Sequence, residues 1–105
     1  MDSLYGLTYI PVDMDNLEIA FKIQKEIWTS DPDYNDLYDK AKNRADNNCS
    51  FLVYHDNNLI GITGVDFYEQ YKDTIWLDWF AILPEFRRQG YGKKVLLDTI
   101  RYCKS

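Results

Sequence analysis

The sequence predicts an α/β domain of the α+β kind, with a mixed, largely antiparallel sheet flanked by helices. Three observations predict it. Apolar spacing switches between strand alternation and helical period in the order β-α-α-β-β-β-α. Asp56-Asn57-Asn58 separates two strand-like runs, a hairpin signature. A strand that is apolar on both faces then runs into Pro84, a basic loop and a helix opened by glycine. At 105 residues this is a single domain spanning 1–105, with no repeat, low-complexity tract or internal linker.

Leu7 to Val12 reads as a short strand, and Pro11 places it at a sheet edge or at a strand end. Asp15 with Glu18 three residues on has capping-box spacing. Leu17, Ala20, Phe21, Ile27 and Trp28 share one helical face, widened by Ile19 and Ile23, so a helix is expected from Asn16 to Trp28. A turn-rich break with Asp31, Pro32, Asp33 and Asp36 follows. Tyr34, Leu37, Tyr38, Ala41 and Ala45 have the spacing of a second helix, which ends in Asp46-Asn47-Asn48. Phe51 to His55 and Leu59 to Tyr68 are the hairpin strands, and Gly61 and Gly64 point to a bulge or a close backbone approach in the second. Glu69 to Asp73 turn the chain into Thr74–Leu83, whose apolar residues on both faces mark a central strand covered on both sides. Pro84 stops it. Gly90 then opens a helix whose inward face is Val95, Leu96, Thr99, Ile100 and Cys103.

Charge narrows the function classes. The net charge is −5, yet from Arg87 onward there are six Lys and Arg against one acid, Asp98. Residues 1–86 carry the other six Lys and Arg and 16 acids. An acidic body would repel a nucleic-acid backbone, whereas the basic end suits one small polyanion. Asp78 interrupts the longest apolar run, so no membrane span is expected. The N-terminal residues have neither a basic nor an apolar leader region, and Cys49 and Cys103 fit no metal-ligand spacing. The expectation is a cytoplasmic chain with two reduced thiols and no metal.

The stretch that carries chemistry is Trp76 to Leu97, WLDWFAILPEFRRQGYGKKVLL. A buried strand ends, a basic loop follows, and two glycines sit where a helix begins. Amides at a helix N-terminus are unpaired and lie at the positive end of the dipole, so they bind phosphate. Glycine lets the backbone approach an anion without a Cβ in the way, and Arg87, Arg88, Lys93 and Lys94 add charge at the same spot. This is the chemistry of a pyrophosphate cradle. A Walker A loop fails, because Lys94 follows Gly92-Lys93 and Arg87 stands where the first glycine belongs. A Rossmann fingerprint fails too, because Val95 replaces its third glycine and no N-terminal βαβ unit precedes it.

Arg87, Arg88, Gln89, Gly90, Tyr91 and Gly92, with Pro84 between strand and loop, resemble motif A of the GNAT (Gcn5-related) N-acetyltransferases, [QR]-x-x-G-x-[GA] after a central strand. The preceding order of elements fits as well, so the resemblance covers nearly the whole chain. It implies a GNAT-like acyl-CoA N-acyltransferase fold and acetyl-CoA as cosubstrate. Arg88 to Lys93 would supply amides and charge to the pyrophosphate. The main chain of Phe80, Ala81 and Ile82 would hold the pantetheine arm, with the amide near Phe80 polarising the thioester carbonyl as an oxyanion-type donor. The implied reaction is direct attack by a primary amine, with no covalent enzyme intermediate.

Other candidates carry two readings each. Asp78, in an otherwise apolar strand, is either a general base or a hydrogen-bonded structural carboxylate; Asp66 and Glu69 are further candidates for the base. The strand position at which the family often has Glu is Trp76 here. His55 stands at a strand end beside a turn and reads as a surface residue. Asp31, Asp33, Asp36 and Asp39 read as a solvated loop, but the resemblance puts that region beside the acceptor, which suggests a cationic amine. Trp28, Tyr34, Tyr38, Phe67 and Tyr68 read as core, with a pocket-lining role as the other reading.

The family fold continues past the motif A helix with a strand, a helix and a final strand pair, whereas this sequence ends at Ser105. The expectation is a partial GNAT domain lacking its C-terminal third, including the helix that commonly carries a Tyr general acid. Trp76 to Ile82 would then be an uncovered aromatic edge, buried in a homodimer or other oligomer. Acetyl transfer to an amine is the leading function. The alternatives are a non-catalytic acyl-CoA-binding or interaction module and an inactive fragment.

Overall fold

Four strands, β1 (Thr8–Pro11), β2 (Cys49–His55), β3 (Asn58–Phe67) and β4 (Ile75–Ile82), form one sheet in that spatial order, every pair antiparallel. Three helices accompany them: α1 (Leu17–Ile27), α2 (Tyr34–Lys42) and α3 (Tyr91–Lys104). This computed structural model describes residues 1–28, 34–43, 45, 48–68, 70 and 73–104. The expectations for Asp31, Pro32, Asp33, Asp46, Asn47 and Glu69, and for the Tyr34 side chain, lie outside the described residues.

Alternation along the strands divides the core into two layers. Leu52, Ile62 and Ala81 pack with Val12, Leu17, Ala20, Ile23, Leu37 and Ala41 on the α1/α2 side. Phe51, Val53, Ile60, Val65 and Ile82 pack with Leu7, Tyr9 and Val95 on the α3 side. Ile23, Leu37, Leu52 and Ile62 are fully buried, each contributing roughly 1.5–3 kcal/mol.

Several local expectations are corrected. Asp15 and Glu18 form no capping box: Asp13 Oδ1 accepts the amides of Asp15 (2.9 Å) and Asn16 (3.1 Å), so the chain enters α1 through a turn built on Asp13. Helix α2 stops at Lys42, and Ala45 lies in the turn before β2, where it accepts the Asn48 amide at 3.1 Å. The hairpin turns on Asp56 and Asn57 alone, both left-handed with φ of 50° and 66°, and Asn58 already belongs to β3. Strand β4 is not central. It ends the sheet, with Ile75, Trp76 and Leu77 exposed, because among the described residues no strand lies beyond it.

On α3 the buried residues are Val95, Asp98 and Thr99, whereas Ile100 is exposed. Val95 and Thr99 face inward as expected and Cys103 packs against the core, but polar bonds put Asp98 inside in place of Ile100. Asp98, 1% exposed, accepts Ser3 Oγ at 2.6 Å, Tyr9 Oη at 2.7 Å and the Leu4 amide at 3.3 Å, which clasps the N-terminal residues to α3. Thr99 Oγ1 reaches the Val95 carbonyl (2.7 Å) and Thr63 Oγ1 (3.0 Å), tying the helix to β3.

Burial, and then the Asp98 carboxylate, push the Tyr9 phenol well above the ordinary tyrosine value of 10.0. Below that value the phenol is neutral in the folded and unfolded chains alike, so its contribution is fully present. Above it the unfolded chain ionises first and the contribution is lost. Tyr9→Phe should cost roughly 1.5–3 kcal/mol at neutral pH and flatten the alkaline loss of stability. Urea unfolding at pH 7 and at pH values above 10.0 checks both effects.

Candidate acyl-CoA site

The β3–β4 ladder is interrupted once. Ile62 faces Ala81 and Gly64 faces Asp78, so Thr63 alone stands opposite both Trp79 and Phe80. Trp79 absorbs the extra length with φ 51°, a left-handed conformation unusual for a bulky residue. Both glycines of β3 pack against this segment: a Cβ on Gly61 would strike the Ala81 carbonyl, and one on Gly64 would lie 2.8 Å from the Asp78 carbonyl. Leu83 donates its amide to the Ile60 carbonyl at 2.8 Å. By antiparallel alternation Ala81 also faces β3, which leaves the amides of Ile82 and Phe80 on the open edge. The main chain of Ala81 is therefore engaged within the sheet, unlike that of its neighbours.

Beyond β4 the chain turns through a short 3-10 segment, Pro84–Phe86, into the basic loop. Arg87 Nε donates to the Ile82 carbonyl at 2.9 Å, tying the loop to the strand end. Arg88 and Gly90 are left-handed, with φ of 65° and 83°, and fold the loop tightly ahead of α3. Arg87, Arg88, Gln89, Gly90 and Lys93 are exposed, and Tyr91 and Gly92 are half-buried. Gly92 has an ordinary helical backbone, and a Cβ there would meet Ile82 only at 3.8 Å. Folding does not require glycine at this position, and in a helix it costs about 1 kcal/mol relative to Ala. What it leaves is open backbone at the helix N-terminus, next to Lys93 and Lys94.

Tyr91, between the two glycines, is pinned. Its hydroxyl is 2.6 Å from His55 Nδ1, its ring meets Phe86 edge-on, and Lys94 Nζ lies 5.8 Å from its centroid. His55 is thus joined to the cradle as well as standing beside the hairpin turn. Nothing in its local sequence showed this, because the contact arises from the hairpin's position in the sheet.

On the α1/α2 side, the acids gather around a lysine that sequence reasoning did not single out. Lys40 Nζ lies 2.6 Å from Asp78 Oδ2, 3.0 Å from Asp66 Oδ1 and 3.7 Å from Asp36 Oδ2. The available signal was its place on the apolar face of α2, three residues after Leu37 and four after Asp36. Burial pulls the Lys40 ammonium down, but bonds to Asp78 and Asp66 outweigh it and the pKa is raised. Asp78 is raised as well, first by burial and then by its hydrogen bond with Asp66, against the pull of Lys40. Both Asp78 oxygens are engaged, since Oδ1 accepts the Trp79 amide at 3.0 Å. Asp36 is on α2 instead of in a solvated loop, and it accepts the Trp79 indole N–H. Asp36, Asp39, Lys40, Asp66 and Tyr68 line part of an open cleft of about 420 Å³.

A bulged edge strand thus runs through a basic loop into a glycine-opened helix. The model of the acetyltransferase (GNAT) family matches residues 14–105, and the chain belongs to that family. Among solved structures it is similar to the aminoglycoside N-acetyltransferase AAC(6′)-Iy bound to the bisubstrate analogue CoA-S-monomethyl-acetylneamine. The identity is 21% and the TM-score 0.65, over 93% of this chain and 71% of that one. The same enzyme with CoA matches at 21% identity and TM-score 0.64, over 99% of this chain and 72% of that one. No curated protein matches the sequence.

The close approach at Gly64 yields a direct test of the bulge. Gly64→Ala places a Cβ 2.8 Å from the Asp78 carbonyl and 2.9 Å from Ser50 Oγ. It should destabilise the fold by about 1–3 kcal/mol through overpacking, read as a lower Tm than the parent's.

Proposed function

We propose that the chain takes part in acetyl transfer from acetyl-CoA to a primary amine by direct attack in a ternary complex. The observation that carries this reading is the bulge, which sets Trp79 and Phe80 together opposite Thr63; the Phe80 amide would then face the open edge beside the cradle. The exposed loop from Arg88 to Lys93 would hold the pyrophosphate on helix amides and positive charge. The pantetheine arm would run along the edge past Ile82 toward Phe80. The amine nitrogen attacks the thioester carbon, and the oxyanion that forms is met by the Phe80 N–H. Collapse expels the CoA thiolate and leaves the amide, and the amine's proton passes to the carboxylate side of the cleft. Both Asp66 and Asp78 pair with Lys40, but Asp66 lines that cleft, while Asp78 is held by the Trp79 amide as well.

A cationic amine is the acceptor class this reading favours. Asp36, Asp39 and Asp66 outnumber Lys40 in the cleft wall, and the similar enzyme was solved with an acetylneamine-containing analogue. The open β4 edge, with Ile75, Trp76 and Leu77 exposed, supports a second copy pairing there. Sedimentation should then give at least a dimer, and Trp76→Lys should shift it to monomer; a parent that is monomeric at all concentrations removes this part.

Thermal unfolding with and without acetyl-CoA tests the cradle. Ligand at 100 times its Kd should stabilise the parent by about 2.7 kcal/mol, and Gly92→Glu should abolish the shift while leaving the ligand-free Tm near the parent's, since nothing blocks its Cβ. Binding with no thiol released in the presence of amines would favour a non-catalytic acyl-CoA binder. No shift in the parent would exclude the cradle.

A further inference from the structure

Trp79 is the strained member of the bulge, and a left-handed bulky residue costs about 1–3 kcal/mol unless its surroundings over-determine it. Two carboxylates hold it. Asp78 Oδ1 accepts its backbone N–H at 3.0 Å, and Asp36 Oδ2 accepts its indole N–H. Both carboxylates converge, together with Asp66, on the ammonium of Lys40, which is 4% exposed. A single buried cation on α2 therefore fixes both attachments of the residue that makes the bulge.

We propose that Lys40 is a positioning residue for acyl transfer: through Asp78 and Asp36 it holds Trp79 in the bulge and so keeps the Phe80 N–H turned to the thioester side of β4. The inference rests on the acyl-transfer reading above. Its physical reason lies in what the carboxylates would do without the cation. Asp78 and Asp66 contact the one ammonium at 2.6 and 3.0 Å, so their carboxylates are close neighbours, and two poorly solvated carboxylates that near each other do not both stay ionised without a cation between them. Without Lys40 one would take up a proton and bond the other, drawing Asp78 off the Trp79 amide. The raised pKa of Lys40 keeps the ammonium charged across the neutral range. The same geometry assigns Asp78 to positioning instead of proton abstraction, because neither of its oxygens is free.

Two readouts test this, one without ligand and one with it. In amide NMR of the ligand-free chain, Lys40→Met and Asp36→Ala should move the Trp79 and Phe80 resonances and speed exchange of the Trp79 amide by about tenfold or more. With acetyl-CoA carrying a ¹³C carbonyl, the parent should show a bound C=O infrared band below that of free ligand. In both variants that downshift should be lost and kcat should fall about tenfold, with KM for acetyl-CoA little changed. Asp78→Asn keeps an oxygen for the Trp79 amide, so it should retain more of the downshift and of kcat than Asp78→Ala. A general base would not be rescued in this way.

Unmoved Trp79 and Phe80 resonances, or an intact downshift in Lys40→Met, would overturn the proposal, as would equal losses in the two Asp78 variants. If Lys40→Met does not fold, Asp36→Ala and the Asp78 pair decide the question. If the parent binds no acetyl-CoA, the acyl-transfer reading fails, while the ligand-free NMR still upholds or overturns the Lys40 clamp.

Discussion

Trp79 and Phe80 of β4 share one opposite residue, Thr63, on β3, and closing the ladder around that mismatch shapes the whole site. The left-handed turn at Trp79 sends its ring to the α1/α2 layer, where it meets Trp28 edge-on at 5.1 Å, while Phe80 packs on the α3 side. Strand β3 accommodates the kink with Gly61 and Gly64, since a side chain at either would collide with β4 backbone. Downstream of the bulge the strand is regular again, so its end at Ile82 delivers the basic loop to one defined place, secured by Arg87 on the Ile82 carbonyl. Bulge, cradle and helix N-terminus thus form one continuous edge.

The charge asymmetry of the sequence becomes sharper in the folded chain. The one acid of the C-terminal segment, Asp98, is withdrawn from the surface to bind Ser3, Tyr9 and the Leu4 amide. The lysine on the acid-rich face, Lys40, is likewise withdrawn among Asp36, Asp66 and Asp78. Each of these two buried charges joins segments far apart in sequence. What stays at the surface is a basic loop at one end of β4 and a carboxylate-rich cleft on the α1/α2 side. A substrate pair made of a polyanionic carrier and a cationic acceptor is complementary to that arrangement.

Most elements were legible because their signals are local. The 3.6-residue period marked α1 and α3, alternation marked the hairpin strands, and Pro84 marked the end of β4. Gly61 and Gly64 announced a bulge or a close backbone approach: β3 carries an extra residue, Ile60, against β2, and β4 carries another against β3. The misreadings arose where one local pattern has two solutions. An apolar run such as Ile75–Ile82 has the same local pattern in a central strand and at an edge, and here its first half, Ile75 to Leu77, stays exposed. Asp15 and Glu18 had capping-box spacing, but Asp13 takes the Asp15 amide that Glu18 would have accepted, and the Asn16 amide with it. Ile100 fitted the apolar face of α3 by spacing, yet hydrogen bonds to Asp98 rotated that face toward the N-terminal residues.

The order of elements, the basic, glycine-containing run from Arg87 to Lys94 and the family were all readable from the sequence. All three rest on residues near one another in the chain, where φ preferences, helix ends and side-chain period act directly. Tertiary structure alone decided which charges meet. Lys40 and Asp78 are 38 positions apart, His55 and Tyr91 are 36 apart, and Ser3 and Asp98 are 95 apart. Such pairings carry no local signature, because a buried charge is tolerable only once the folded chain has brought it a partner and excluded the water that would otherwise solvate it.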